Sequence, residues 1–262
     1  MSYVEQLKKD SQLNSGKAVT HHLDLEIHPS GNQNLWIMKP GEHTNRGRGI
    51  KVYADIDELV KDIKYEFRPG KTHKLSKTLV VQKYIHTPLL FKGRKFDIRC
   101  FALFTCINGM KRGFFYQDGY LRTSSKEFTL KDTDDRIIHL TNDAVQKKSK
   151  EYGKFESCNK VSFSDFDKYL QILIFRYLSS EGHQNAFHTK IYPRIKQLVR
   201  DTFMCSYDQM NSDDQMNAFE IFGYDFMLDE DLNTYLIEVI LIHTISKLNF
   251  SLIYFIIPIS NI

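Results

Sequence analysis

Residues Phe219 to Val239 read FEIFGYDFMLDEDLNTYLIEV, two strand-forming runs joined by an acidic turn. Asp225 lies inside the first run and Glu238 inside the second, each flanked by large apolar residues. A carboxylate among residues that otherwise read as core is costly unless something compensates it. If the turn at Asp229 to Asn233 closes a hairpin, the two acids fall on neighbouring strands and can face one side. Like charges opposite each other in a sheet repel. A bound divalent cation reverses the sign of that interaction, and hard oxygen ligands suit Mg²⁺. The same residues also fit a surface hairpin with two solvated acids.

The 262 residues, 42% of them hydrophobic, suffice for one large or two small domains. Six prolines and 13 glycines argue against long disorder. A net charge of +4 is mild and does not by itself indicate nucleic-acid binding, so no nucleic-acid partner is expected. Cys100, Cys106, Cys158 and Cys205 are scattered without a CxxC pair, which reads as reduced cytosolic thiols and not as a disulfide framework or zinc site. Met1 to Ser15 is polar and charged, unlike a secretory signal. Ile240 to Ile262 is apolar but interrupted by His243, Lys247, Asn249 and Pro258. A spanning helix wants ~20 mostly apolar residues, and a charge at mid-span is costly, so no membrane segment is expected.

Leu35 to Lys39 reads as a strand, Pro40 to Gly49 as a loop rich in Gly, Asn and Arg, and Ile50 to Tyr53 as a second strand. Asp55 opens a helix and forms a capping box with Glu58, with Ile56, Leu59, Val60 and Ile63 as the apolar face. Lys71 to Lys77 is a basic loop, and Thr78 to Ile85 a strand. Lys95 to Ile107 is a long strand that pairs with Gly113 to Gln117 across Asn108-Gly109. Helices follow at Phe163 to Leu178, with Phe166, Tyr169, Leu170 and Leu173 apolar, and at Ile191 to Met204. Strands and helices mix with hairpins and no run of βαβ units, so the expected class is α+β with antiparallel sheet.

Within this frame several segments carry chemistry. KPGEHTNRGRG (39–49) joins two strands; its glycines let backbone N–H groups approach an anion, and Lys39, Arg46 and Arg48 add positive charge. It is not a Walker loop, and an ordinary turn fits it as well. Val81 to Ile85 forms a polar break at a strand end, where backbone groups can read an adenine edge, though taken alone the segment fits an ordinary strand end better. Lys95, Asp97 and Arg99 share one face of a strand by period 2, with Phe96, Ile98 and Cys100 on the other. That stripe suits a charged ligand or a solvated, self-neutralising face. Arg122 in YLRTSS is a fork suited to carboxylate or phosphate. HLTN (139–142) is a compact polar cluster before the basic run Lys147, Lys148 and Lys150.

The ordered set KPGEHTNRGRGI, VVQKYIHTPLL, GRKFDIR, YLRTSS, HLTNDAVQK with YGKFE, and FGYDFMLDE with YLIEV resembles the tubulin–tyrosine ligase-like family from about Leu35 to Val239. The resemblance implies an ATP-grasp fold, antiparallel sheets with flanking helices, and an ATP-dependent ligase. A carboxylate of tubulin is activated as an acyl phosphate, and an amino acid amine then attacks it. Lys39, Arg46 and Gly47 then resemble the phosphate clamp, and Gln82, Lys83, Tyr84 and Ile85 the adenine hinge. On the same resemblance Lys95 and Asp97 would hold the nucleotide, Asp97 at the ribose, and Thr141 and Asn142 would line the same site. The resemblance further implies Arg99 and Arg122 at the phosphate and acyl phosphate, and Asp225 and Glu238 as the Mg²⁺ ligands. The implied cofactors are ATP and Mg²⁺. The implied partners are tubulin, through its acidic C-terminal tails, or microtubules, and a free amino acid. The expected place is the cytoplasm, with the cytoskeleton or cilium.

The resemblance divides the chain into a short N-terminal remnant (1–34), a central ATP-grasp lobe with the glycine-rich loop and hinge (35–90), a C-terminal lobe with the metal hairpin (91–239), and a divergent apolar tail (240–262). The resemblance leads us to expect an N-terminal part shortened relative to the family. The family pattern continues Ile-Glu-Val-Asn, the Asn completing the metal site, but here Ile240 follows Glu238-Val239. The abrupt change leads us to expect a tail that is not native family sequence, such as translated intron. Three readings stay open: a ligase of tyrosine, glutamate or glycine on tubulin, a catalytically impaired tubulin-binding relative or fragment, and an ATP-grasp ligase acting on a different substrate such as a peptide or small amino acid.

Overall fold

The structure is a computed structural model that describes residues 34–41, 47–68, 78–177, 185–210 and 216–242, with the backbone of 256–258. The side chains of 174–177 lie outside the described residues, as do the segments 1–33, 71–77 and most of the apolar tail. The chain divides into two compact units, Met1–His86 with Thr129–Leu140, and Thr87–Phe128 with Thr141–Ile262.

In the first unit, strands β1 (Trp36–Pro40), β2 (Lys51–Tyr53) and β3 (Leu79–Lys83) form an antiparallel sheet in the order β2-β1-β3. Trp36 and Met38 of β1 and Tyr53 of β2 cluster with Leu59 of helix α1 (Ile56–Glu66). Asp55 caps α1, its carboxylate accepting from the Asp57 amide at 2.7 Å. The expected capping box with Glu58 is a misreading: Glu58 instead accepts from Lys51 Nζ at 2.7 Å, because the neighbouring strand offers it a full charge. The helix also takes Tyr53 Oη onto Asp62 at 2.9 Å. A short helix, α2 (Arg136–His139), brings buried His139 onto buried Tyr84. His139 Nε2 lies 2.8 Å from the Asp132 carbonyl, which can only accept, so Nε2 carries the proton and Tyr84 Oη donates to Nδ1 at 2.8 Å.

The second unit is built on one long strand, β5 (Arg94–Ile107). Along one edge β9 (Asn217–Leu228) pairs with residues 98–107, and β10 (Thr234–Leu241) pairs with β9 beyond it. Along the other edge β4 (Leu90–Phe91), β7 (Tyr120–Thr123) and β6 (Met110–Tyr116) take successive stretches of β5. β8 (Lys160–Ser162) pairs with β7, and β11 (Ile256–Pro258) with β6. All these pairings are antiparallel, so the fold is the expected α+β type with antiparallel sheet. The expected hairpin at Asn108-Gly109 forms, with both residues at positive φ (50° and 77°), the two-residue turn whose twist matches the strands. Lys92-Gly93 makes the same turn between β4 and β5 (φ 50° and 76°), which the sequence reading passed over.

A one-turn helix, α3 (Asp143–Gln146), follows the Thr141-Asn142 pair. Helices α4 (Phe163–Tyr177) and α5 (Tyr192–Ser206) cover the core. The expected stripe on α4 holds: Phe166 and Leu170 are buried, and Tyr169 and Leu173 pack at the margin. Phe166 meets Phe96 of β5 edge-on, with centroids 5.2 Å apart. Asp229 closes the β9–β10 turn; its carboxylate accepts from the amides of Asp231 (3.0 Å) and Asn233 (2.8 Å), from Asn233 Nδ2 and from Tyr235 Oη (both 2.9 Å). The four cysteines are free thiols, and no described helix is long and apolar enough to cross a membrane.

Gly119, just before β7, leaves no room for a side chain. A Cβ there would lie 2.4 Å from the Arg99 carbonyl and 2.6 Å from Phe163 Cζ. Backbone cannot yield as a flexible side chain can, so Gly119→Ala is expected to cost about 1–3 kcal/mol, read as a lower midpoint in urea. Burial also lifts the phenols of Tyr192, Tyr224 and Tyr235, each up to about 12. In the unfolded chain these groups ionise near ~10. Their contribution to stability is therefore complete below pH ~10 and is lost as pH rises toward 12. Urea midpoints should hold from pH 8 to 9.5 and fall steeply above it, with tyrosinate absorbance rising together with unfolding.

Candidate active site

Period-2 alternation on β5 puts Phe96, Ile98 and Cys100 in the core and Lys95, Asp97 and Arg99 on the opposite face. Antiparallel register extends that face sideways. On one edge Asp97 pairs with Arg122 of β7; on the other Arg99 pairs with Asp225 of β9, and Asp225 with Glu238 of β10. Four strands therefore deliver one transverse row of charged residues, and the Asp225–Glu238 juxtaposition expected from the hairpin is present.

The row is held by a chain of alternating charges. Arg122 forks onto Asp97, Nε to Oδ1 at 2.6 Å and Nη2 to Oδ2 at 2.8 Å. Its Nη2 also reaches Asp225 Oδ2 at 2.6 Å. Arg99 forks onto Asp225 from the other side, Nε to Oδ1 at 2.5 Å and Nη2 to Oδ2 at 3.1 Å. The Thr141 hydroxyl donates to Asp97 Oδ2. Asp225 is 3% exposed, Asp97 6% and Arg122 9%, so these are desolvated pairs. Burial opposes the charge on Arg122, but Asp97 and Asp225 more than offset it and hold the guanidinium above its ordinary pKa. The carboxylate that opened the sequence puzzle is thus compensated here by two guanidinium groups.

Glu238, next in the row, is exposed. Two positions further along β10, Ile240 pairs with Gly223 on the same face. A Cβ on Gly223 would sit 3.1 Å from Ile240 Cγ1 and 3.4 Å from Arg99 Nη1, so the missing side chain makes space for both. Ile240 thus stands beside the two carboxylates where an amide oxygen was expected. Asp225 and Glu238 bring two carboxylates into register, the kind of hard oxygen donor that suits Mg²⁺, but both Asp225 oxygens already accept from Arg99 and Arg122. Among the described residues no group of three or more His, Cys, Asp or Glu side chains could hold a metal.

The other candidates divide between the units. Lys95 is buried on β5, and its carbonyl accepts from the Ser124 amide at 2.8 Å. Asn142 precedes α3, and its carbonyl accepts from the amides of Val145 and Gln146. In the first unit Lys39 lies on β1 opposite Val80, Gln82 opposite Ile37, and Lys83 opposite Trp36. Gln82 is exposed and Ile85 half-buried, while the Tyr84 amide donates to the Leu35 carbonyl at 2.9 Å. Gly47 takes a left-handed φ of 71°, and its carbonyl accepts from Arg136. Arg46 lies outside the described residues.

Sequence reasoning missed Gln146, Glu156 and Asn159, which contact the segment carrying Arg122. Gln146 Oε1 accepts from the Ser125 amide at 2.7 Å. The only signal was that Gln146 and Glu156 fall in HLTNDAVQK and YGKFE.

Comparison with known proteins fits this arrangement. The model of the tubulin–tyrosine ligase family matches residues 16–249, extending beyond the Leu35–Val239 stretch on which the motifs lie. Tubulin glycylase 3B of Drosophila melanogaster is 37% identical over 213 residues, 80% of this chain and 26% of that protein. Tubulin glycylase 3B of Tetrahymena thermophila is 34% identical over 233 residues, 89% of this chain and 17% of that protein. The human tubulin monoglycylase TTLL3 is 34% identical over 224 residues, 85% of this chain and 27% of that protein. The chain thus spans about a quarter or less of the length of the curated relatives it matches. With a family model covering most of its length and charged motifs that converge on one sheet face, this chain belongs to the tubulin–tyrosine ligase family, whose fold is ATP-grasp-like.

Proposed function

We propose that this chain carries the catalytic core of an ATP-dependent ligase that joins glycine to a carboxylate of tubulin. The single observation that carries the reading is the transverse row Asp97, Arg122, Arg99, Asp225 and Glu238, in which guanidinium donors lie beside carboxylates able to hold a divalent cation. In the proposed reaction a tubulin carboxylate oxygen attacks the γ-phosphorus of ATP and ADP leaves. The amine of glycine then attacks the acyl carbon, loses a proton and expels phosphate. Arg99 and Arg122 place fixed positive charge where phosphate charge develops, and no reorganisation is needed at the moment of reaction. Asp225 and Glu238 would hold Mg²⁺, which screens the phosphate oxygens. Thr141 steadies Asp97, whose carboxylate is proposed to meet the ribose, with Lys95 and Asn142 beside it. In the first unit Lys39, Arg46 and Gly47 are assigned to phosphate, and Gln82, Lys83, Tyr84 and Ile85 to adenine. The two compact units are assigned as the two ATP-grasp lobes.

Glycine is preferred to tyrosine or glutamate because the relatives above are named as glycylases. A basic chain also suits the acidic tails of tubulin, which supports assigning it to microtubules of the cytoplasm or cilium. One observation favours a second reading, a tubulin-binding relative with impaired catalysis: Ile240 contributes no oxygen beside Glu238.

Titration with Mg·ATP separates the two. Glu238→Gln is the clean probe, because Asp225 and Arg122 are buried partners whose loss would also destabilise the fold. On the ligase reading the wild type binds, Glu238→Gln weakens binding about tenfold, or ~1.4 kcal/mol, and Ile240→Asn tightens it. Binding seen only in Ile240→Asn supports the impaired relative. For the amino acid, radiolabelled glycine should enter tubulin in an ATP-dependent reaction; incorporation of tyrosine or glutamate alone would replace glycine in this assignment.

A further inference from the structure

Arg122 bridges Asp97 and Asp225 through three hydrogen bonds, yet it sits on the four-residue strand β7, one position from the end. Something outside the strand has to fix that backbone. Successive strand residues face opposite ways, so whatever grips Thr123 from behind sets the direction of Arg122 in front.

Behind β7 lies a polar cluster in which every donor and acceptor we name is used. Thr123, Ser124 and Ser125 are fully buried, and Arg94 and Asn159 are each 2% exposed. Asn159 Nδ2 donates to the Thr123 carbonyl (3.0 Å) and to Ser125 Oγ (2.9 Å), while its Oδ1 accepts from the Gly153 amide (2.7 Å). Arg94 donates through Nη1 to Thr123 Oγ1 (3.2 Å) and the Ser124 carbonyl (3.1 Å), and through Nη2 to Glu156 Oε1 at 2.5 Å. Thr123 Oγ1 has one proton to share between Glu156 Oε2 (3.1 Å) and the Asn159 carbonyl (3.2 Å). Asn159 reaches this place in a left-handed conformation (φ 52°), which asparagine tolerates better than most residues.

We propose that Asn159 and Glu156 are positioning residues for Arg122: through the backbone of Thr123 to Ser125 they lock the register in which Arg122 bridges Asp97 and Asp225. The inference rests on the reading of Arg122 as a residue of the site. The cluster touches none of the row's side chains by the bonds above, and its effect passes through β7. A bond from Asn159 to the Thr123 carbonyl constrains the residue next to Arg122, and the Arg94–Glu156 pair holds the Thr123 hydroxyl and the Ser124 carbonyl. Asn159→Asp keeps the acceptor for Gly153 but removes both Nδ2 donors. Glu156→Gln keeps the shape and removes the charge that holds Arg94.

The test reads Arg122 itself. In ¹⁵N-labelled chain, the Arg122 Nε–H signal, identified by its loss in Arg122→Lys, should be resolved and slow to exchange with solvent. In Asn159→Asp and in Glu156→Gln it should broaden and exchange at least tenfold faster. The Arg99 Nε–H signal, anchored on the β5–β9 side, should stay unchanged, and so should Arg122 in the exposed-loop control Lys154→Ala. A fall in melting temperature with the Arg122 signal unmoved would mean a merely structural role and overturns the proposal. If Asn159→Asp does not fold, Glu156→Gln alone decides by the same criterion. The measurement needs no nucleotide, so failure of Mg·ATP to bind would sink the ligase reading while leaving this inference to stand or fall on the Arg122 signal.

Discussion

One guanidinium group shared between two carboxylates holds the candidate site together. Arg122 sits between Asp97 and Asp225, and Arg99 closes Asp225 from the far side, so negative and positive groups alternate across three strands. Each of these groups would be costly to bury alone. Together they neutralise one another at hydrogen-bonding distance, which lets a sheet with an apolar core on one face carry a dense polar row on the other. β5 makes this possible because it supplies both Asp97 and Arg99 and receives β7 and β9 on its two edges.

The same geometry gives the family motifs separate duties. KFDIR, YLRTSS and FGYDF with YLIEV supply the row, while parts of HLTNDAVQK and YGKFE brace YLRTSS from behind through Gln146 and Glu156. Thr141 bridges the two groups, since it follows directly on HL and donates to Asp97. The pairing of front and back across one short strand explains how residues far apart in the chain serve a single arginine.

Much of this was readable before any coordinates. The acidic hairpin placed Asp225 beside Glu238 because alternating strands and a closed turn leave few other options, and Asn108-Gly109 announced its own turn. The face shared by Lys95, Asp97 and Arg99 followed from period 2. What periodicity cannot supply is a partner across distant strands: Arg99 and Arg122 meet Asp225 over separations of 126 and 103 residues. Local pattern therefore assigned Asp225 a cation, and tertiary pairing supplied arginines. Glu58 fitted a capping box by spacing, but Lys51 from the adjoining strand outcompeted the backbone amide for it. Asn159 resembled any surface polar residue, because burial behind β7 depends on a loop path that spacing does not encode.

The span of those pairings has a consequence for synthesis. Until residues near 217–241 emerge, one edge of β5 lacks β9, its strand partner on that side among the described residues. The nascent chain must therefore hold more than a hundred residues with an open, largely apolar strand edge, the kind of surface on which intermediates aggregate. Closing so long a loop is also slow compared with hairpin formation. The β5–β6 hairpin can zip as soon as it is made, whereas the charged row cannot exist before β9 and β10 dock. Maturation of the site is thus tied to translation through β10, and a chaperone that recognises exposed strand edges would find one on β5 until then.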